Sequence, residues 1–257
     1  MIEKSDSNMT KDKIKISVIC VYNDKALFNK QLMSSLKEQD VEYEFIAIEN
    51  EHGSYNSAAA ALNSGASASH GDILIFSHQD IYFKTEKELR KLAERIDSVD
   101  LGDIVGTQGT KEPNKYHYAN LTSGAEYNAQ INHELEDTLY EVSCVDEGLF
   151  GMRKATWEAH HFDEELCNNW HLYCVELCLN ARKNGHKVFV YPSQIHHFSK
   201  GTISLGYMKN LKRLCKSYRK DFKYIWTTCY KVRTNVVYIN CLVFAWYINR
   251  ILHGNLI

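Results

Sequence analysis

The stretch Gly71-Asp72-Ile73-Leu74-Ile75-Phe76-Ser77-His78-Gln79-Asp80 decides the fold. Residues 73–77 form a short apolar run between turn-forming neighbours, which reads as a buried central strand. The run stops abruptly at His-x-Asp. In an open α/β sheet, ligands bind just beyond the carboxyl ends of the strands. Residues two apart on an extended segment point the same way, so the imidazole of His78 and the carboxylate of Asp80 can face one ligand or one metal ion. An aspartate at a strand end more often only starts a turn, so the pair needs support from elsewhere.

Upstream, residues 14–22 (IKISVICVY) predict a first strand that ends in Asn23-Asp24 and leads into a helix over 26–37. Residues 44–48 predict a second strand ending in Glu49-Asn50, followed by a Ser/Ala-rich helix over 57–69. This alternation implies βαβ units and a mostly parallel sheet. Cys20, Val21, Tyr22 and Asn23 then share one rim with Glu49, Asn50, His78, Gln79 and Asp80. Downstream, 103–109 reads as a fourth strand. Residues 111–141, with Pro113 and Gly124, read as a loop-rich insertion. Residues 169–183 read as a helix stopped at Asn184-Gly185, and from 202 onward the chain reads as helical.

With 257 residues, 44% hydrophobic and 24% charged, the chain suits one large α/β domain. A formal charge of −2 argues against nucleic acid as the main partner. The charge is uneven: residues 209–233 carry nine Lys or Arg against one Asp. The eight cysteines show no CxxC pair, and 1–13 is a polar tail without a secretory signal, so free thiols in a reducing cytoplasm are expected. His171, Cys174 and Cys178, with Cys167 nearby, fall on one helical face. The close ligand pairs of zinc sites are missing, and buried apolar thiols explain them better.

The apolar stretch 236–248 spans about 13 residues, against the ~20 needed to cross a bilayer. Before it, Lys209, Lys212, Arg213, Lys216, Arg219, Lys220 and Lys223 alternate with Leu211, Leu214, Tyr218 and Phe222. A cationic helix followed by an apolar, aromatic one fits peripheral contact with an anionic membrane surface, here the inner face of the cytoplasmic membrane. A basic solvated face or a dimer interface fits the same pattern.

The order ISVICVYND, then Glu49-Asn50 before the helix with Asn63-x-Gly65-Ala66, then HGDILIFSHQD, resembles family 2 glycosyltransferases of the GT-A fold. Asp146-Glu147-Gly148-Leu149-Phe150-Gly151-Met152-Arg153-Lys154 and His161-Phe162-Asp163-Glu164 extend the resemblance. So do Trp170-His171-x-Tyr173 running into Glu176-Leu177-Cys178-Leu179, and His196-His197-Phe198-Ser199-x-Gly201. Together they are similar to a divergent bacterial branch whose metal motif reads HQD rather than DxD. The resemblance implies a GT-A domain over 14–201, with a mixed, mostly parallel sheet flanked by helices, and a basic and apolar helical extension over 202–257.

It also implies an enzyme that moves a sugar, with inversion, from a nucleotide-diphosphate donor to a glycan or lipid-linked acceptor of a surface polysaccharide. A UDP-sugar is the favoured donor, with GDP- and dTDP-sugars as alternatives. Asp80 takes the place of the last Asp of DxD as ligand to Mn²⁺ or Mg²⁺; His78 replaces the first, which either weakens the hold on the ion or puts the imidazole directly on the diphosphate of the nucleotide. A late histidine completes the metal set, His197 by preference over His196. Cys20 to Asn23 meet base and ribose through backbone, beside Asn50 and Gln79, and Glu49 suits uracil and guanine equally. Trp170 is either a ring that stacks on an acceptor sugar or a core residue. The acidic pair of the family falls here on Tyr173 and Cys174, whose ordinary pKa values of about 10 and 8.5 suit neither to act as base. The base role passes to Asp146 first, then to Glu147, His171 or Glu176. Two other readings compete: a degenerate binding protein, and a sugar nucleotidyltransferase. The second needs a glycine-rich phosphate loop that CVYNDKALFN lacks.

Overall fold

The computed structural model describes residues 14–113, 116–130, 134–199 and 203–252. The expected polar tail, 1–13, lies outside the described residues. The chain opens with β1 (Ile16–Tyr22), then a helical segment of α1 (Lys25–Phe28), a π-helical turn (Asn29–Met33) and α2 (Ser34–Leu36). β2 (Glu44–Glu49), α3 (Ala58–Ala68), β3 (Ile73–His78), the short β4 (Ile81–Phe83) and α4 (Glu88–Ser98) follow. Next come β5 (Ile104–Gly106), β6 (Gln108–Lys111), β7 (Tyr116–Ala119), β8 (Thr122–Ser123), β9 (Tyr140–Val142) and β10 (Cys144–Val145). β11 (Leu149–Arg153), α5 (Lys154–Ala159), α6 (Tyr173–Lys183), β12 (Val188–Val190) and β13 (Ile195–His197) come after these. The last part is α7 (Leu205–Ser217), β14 (Tyr224–Trp226), β15 (Lys231–Arg233) and α8 (Val236–Leu252).

The main sheet has the order β2-β1-β3-β11-β5-β12-β9. β2, β1, β3, β5 and β12 run one way; β11 and β9 run the other. The fold is therefore α/β with a mixed, largely parallel sheet between two helical layers. β1 and β3 are buried on both faces, which is why their sequences are continuous apolar runs rather than alternating ones. On one side Ile19, Leu74 and Phe76 pack with α3, α6 and α7; on the other, Val18, Ile73 and Ile75 pack with Phe28, Leu32, Leu89 and Leu92.

Local chemistry explains the element ends. Ser57 caps α3 by accepting from the Ala60 amide at 3.2 Å, and Asp24 caps α1 by accepting from Leu27 at 2.9 Å. Gly151, at the centre of β11, is pressed between strand and helix. A Cβ there would lie 2.5 Å from the Leu74 carbonyl oxygen and 2.6 Å from Ile96 of α4.

Three sequence expectations change. Residues 103–109 hold two strands in different sheets, β5 and β6, because the chain turns at Thr107, whose amide donates to the Leu149 carbonyl at 3.1 Å. The helix expected from 169 starts at Tyr173, since Leu172 sits in the left-handed region at φ 69°. The part after 202 is not continuously helical: β14 and β15 pair as a hairpin, with Ile225 opposite Val232 and both fully buried. α7 is built into the main core through Met208, Leu211, Leu214 and Cys215.

Candidate active site

β3 delivers His78 to the carboxyl edge of the sheet, and the chain then turns into β4. β13 pairs antiparallel with β4, setting His197 opposite Ile81 and His196 opposite Tyr82. Neighbours on a strand face opposite sides, so only one of the two histidines reaches the site. His197 Nε2 stands 3.3 Å from Asp80 Oδ1, and His78 Nδ1 stands 4.0 Å from the same oxygen. His196 is turned away and fully buried, with Nδ1 2.7 Å from Thr122 Oγ1 and Nε2 3.2 Å from the Gly124 carbonyl. Both its ring nitrogens are occupied, which corrects the expectation that His196 serves as an alternative metal ligand.

His78 Nε2 lies 3.1 Å from the Tyr173 hydroxyl. Burial, then the neighbouring His197, hold the His78 imidazole below its ordinary pKa. Asp80 is half-buried, which works against its charge, yet the close imidazole of His197 and the charge of His78 keep its carboxyl below the usual range. For His197 burial works downward, but Asp80 prevails and raises it.

The three side chains fit a divalent cation. Their ligand atoms all lie within 4.8 Å of one another, and His197 Nε2 is buried with no well-oriented hydrogen-bond partner. Two neighbouring ligands on an octahedral ion, each at about 2.1 Å, stand roughly 3 Å apart, close to the 3.3 Å found between His197 and Asp80. One carboxylate with two imidazoles suits Mn²⁺ better than Mg²⁺. Among the described residues this is the one group of three or more such side chains. The zinc reading receives no such geometry: Cys174 and Cys178 are fully buried, Cys178 sits against Cys144, and the Cys167 thiol donates to the Leu172 carbonyl.

Beside the cluster opens a cavity of about 390 Å³, lined among others by His78, Asp146, Glu147, His171, His197 and Thr228. Asp146 is fixed at both oxygens: Oδ1 accepts from the Gly148 amide at 3.1 Å, and Oδ2 from the Thr228 hydroxyl at 2.9 Å. Glu147 lies against the amides of Leu172, Tyr173 and Cys174 at the start of α6. Burial, reinforced by Asp146, nevertheless pushes its carboxyl well above the ordinary value. The left-handed Leu172, a conformation costing about 1–3 kcal/mol, turns the first amides of α6 toward it. Burial lowers the His171 imidazole. Glu176 is not in the cavity; it is 1% exposed, accepts from Tyr218 Oη at 2.6 Å and pairs with His160 at 3.3 Å. Its candidacy as base is withdrawn for that reason.

The rim residues fall into two groups. Cys20 is fully buried, and Tyr22 stacks on Phe28 at 4.4 Å while its hydroxyl donates to the exposed Glu49 at 3.1 Å. Val21 lines a narrow slot with His78, Trp170 and Tyr173, so Trp170, 39% exposed, stands by the β1 end rather than in the larger cavity. Gln79 and Asn50 are used as braces. Gln79 Oε1 accepts from the amides of Asn23 and Asp24 at 2.9 and 3.0 Å, and its Nε2 donates to Asn23 Oδ1. Asn50 grips the backbone of Tyr55 at both ends of its amide. Sequence reasoning missed Thr228 and Tyr207, which reach the cavity from the C-terminal part, and the Tyr173 contact with His78. A tyrosine at the first turn of a helix carried a signal for the last; nothing in the sequence signalled the first two.

A family model described as glycosyltransferase-like family matches residues 17–223. No curated protein matches in sequence. Among solved structures, the chain is similar to GalNAc-T7 with UDP, GalNAc and Mn²⁺, at 12% identity and a TM-score of 0.56 over 79% of this chain and 48% of that one. It is similar to TarS of S. aureus with UDP-GlcNAc at 13% identity and a TM-score of 0.53, over 84% of this chain and 69% of the other. It is also similar to the mannosyltransferase PcManGT of Pyrobaculum calidifontis with GDP-Man and Mn²⁺, at 13% and 0.54, over 82% and 64%. The chain thus spans about half the length of GalNAc-T7. At these identities the likeness establishes a GT-A-like fold.

Proposed function

Because the chain belongs to the glycosyltransferase-like family, matched over residues 17–223, we propose that it transfers a sugar, with inversion, from a nucleoside-diphosphate sugar to an acceptor hydroxyl. The observation that carries this reading is the cluster of His78, Asp80 and His197 at the carboxyl edge of the sheet, open to a cavity holding Asp146.

Asp80 and His197 would hold the ion, with His78 on the ion or on the diphosphate. A bound divalent cation neutralises charge on the departing diphosphate. The acceptor oxygen attacks the anomeric carbon on the face opposite the leaving phosphate oxygen. Asp146 receives the acceptor proton as the new C–O bond forms and the sugar–phosphate bond breaks, and the nucleoside diphosphate departs. Its two anchors, Gly148 and Thr228, hold the carboxylate in one orientation, which favours attack along one line. Glu147, whose protonated form burial favours, is suited to donate a hydrogen bond to a sugar hydroxyl. His171, kept neutral by burial, is the second candidate to take the proton.

UDP-GlcNAc and GDP-Man are bound by similar structures, and a UDP-sugar remains the favoured donor here, with Glu49 and the backbone of Val21 to Asn23 toward the base. An acceptor in surface polysaccharide, free or lipid-linked, fits an enzyme working in the cytoplasm, where the eight cysteines stay as thiols.

Calorimetric titration with UDP, GDP and dTDP, with and without Mn²⁺, tests the reading on the native protein and on Asp80→Ala. Mn²⁺-dependent binding of one nucleotide, lost in the variant, is the expected result. Metal-independent binding equal in both proteins would refute the metal site. Binding without transfer to any acceptor in cell membranes would favour the degenerate reading.

A further inference from the structure

The outward face of α8 and the groove at its N-terminal end take no part in the site. α8 turns Leu242, Val243 and Trp246 toward the core and leaves Val237, Phe244 and Leu252 exposed by 70, 67 and 76%. With Cys241, Ile248 and Ile251 they recur every three or four residues, so they form one apolar stripe along a 17-residue helix of about 25 Å. No helix among the described residues is long and apolar enough to cross a membrane. The single charge of α8, Arg250, folds back: it donates to the Ile203 carbonyl at 3.3 Å and stacks 5.2 Å from the Trp246 ring.

At the start of α8 lies a groove of about 610 Å³ whose charged lining is Arg219, Lys220, Lys223 and Arg233. Among the described residues none of these four has a carboxylate partner. Asp221, the one acid between 209 and 233, is held by Lys183 at 3.2 Å. Asn235 caps α8 by accepting from the Tyr238 amide at 3.0 Å, so the positive end of the helix dipole opens onto the same groove. Val237 lines the groove and also begins the stripe. Cations and apolar face are thus one continuous surface.

We propose that this surface docks on an anionic bilayer, α8 lying in the interface with its stripe among the acyl chains and the groove cations on lipid phosphates. A helix of this kind, apolar on one face with cations alongside, binds lipid in proportion to both features. A second copy of the chain is the weaker occupant. Paired helices are matched by charges flanking the seam, whereas this stripe is flanked by Asn240, Tyr238, Ala245, Tyr247 and Asn249. Tyrosines at the flanks suit the headgroup layer instead. Arg233 and Lys223 stand at the base of the hairpin whose tip holds Thr228 on Asp146. The proposal therefore deepens the functional reading in one respect, an acceptor delivered by lipid, while its test needs no turnover.

Full-length protein is sedimented with vesicles of phosphatidylcholine alone or with added phosphatidylglycerol, and its oligomeric state is measured by light scattering. Expected are a monomer, binding to the anionic vesicles only, and weakening by salt. Lys220→Gln with Lys223→Gln should lower the partition about tenfold or more, and Phe244→Asp should abolish it. Both variants change exposed side chains, and an unchanged melting temperature checks their fold. Equal binding to neutral vesicles, no binding, or wild-type partition in the double variant would overturn the proposal. So would a dimer that Phe244→Asp dissociates. Because no nucleotide is present, these outcomes leave the transfer reading to stand or fall separately.

Discussion

Asp80 shows how one carboxylate can be held charged in a half-closed site: two imidazoles offset the burial that would otherwise neutralise it. Asp80→Asn keeps the shape and removes the charge. Mn²⁺ affinity should fall at least about 100-fold, since even outer partners of metal ligands cost 10–100-fold; Mn²⁺ titration followed by electron spin resonance reads this directly. Glu147 is the opposite case. Its carboxyl is raised well above its ordinary value of 4.5, so above pH 4.5 the unfolded chain gives up a proton that the folded chain keeps. That makes folding less favourable as pH rises. Glu147→Gln lacks this term, and its melting temperature should gain on wild type steadily as pH is raised from 4.5 to neutrality. A gap that stays constant with pH would mean that Glu147 is ionised in the folded protein. At this scale the sequence was partly readable. The position of His78 follows from the apolar run that it ends, whereas Asp80 lies in the turn beyond β3 and meets His78 through that turn rather than through a strand period. The choice of His197 over His196 depended on which face of β13 meets β4. Glu147 reads as an ordinary acid until the start of α6 is placed over it.

The elements that were legible are those whose sequences have only one use. β1, β2 and β3 begin or end within two residues of expectation; β1 and β3 do so because strands buried on both faces need unbroken apolar runs, and the edge strand β2 because its apolar core, Phe45 to Ile48, is bounded by Glu44 and Glu49. β11 was not legible as an antiparallel strand, since LFGMR says nothing of direction and only pairing with β3 and β5 sets it. α4 carries its signal in the sequence: Leu89, Leu92, Ala93 and Ile96 lie at helical spacing, and all are buried. The hairpin of β14 and β15 escaped because three-residue strands are too short to show a period. Two predictions belong here. Gly151→Ala places a methyl against the Leu74 carbonyl and Ile96, and should destabilise the protein by about 1–3 kcal/mol in urea unfolding. Glu44 joins β1, β2 and the turn before β3, accepting from Ser17 Oγ at 2.5 Å and the His70 amide at 2.8 Å. These bonds, with the His70 side chain, bring its carboxyl from 4.5 down to about 2. A depressed carboxylate stabilises above its unfolded pKa, and that gain drains away as pH falls from 4.5 toward 2. Glu44→Gln should therefore cost about 1 kcal/mol near pH 7, after allowance for solvent screening, and progressively less in acid.

Across the whole molecule, the part after residue 202 is a working wall of the site rather than an appendage. α7 closes the main core, and the hairpin tip fastens Asp146 through Thr228. Thr228→Val, nearly the same in shape, removes a hydrogen bond to a half-buried carboxylate and should lower the melting temperature by a few degrees, as the loss of about 1–2 kcal/mol does in a chain of this size. It should lower the rate of sugar transfer more than donor affinity if Asp146 takes the proton. A change confined to donor affinity would move that role to His171. The distribution of cysteines has a practical consequence. Six of the eight thiols are sealed in the interior, and the two exposed ones are Cys229, on the cavity wall, and Cys241, on the outward stripe of α8. The native chain therefore carries a chemical reporter at each of its two candidate contact surfaces. Under brief alkylation followed by mass spectrometry, a ligand filling the cavity shields one thiol and a lipid surface shields the other, so each contact leaves its own footprint on unaltered protein.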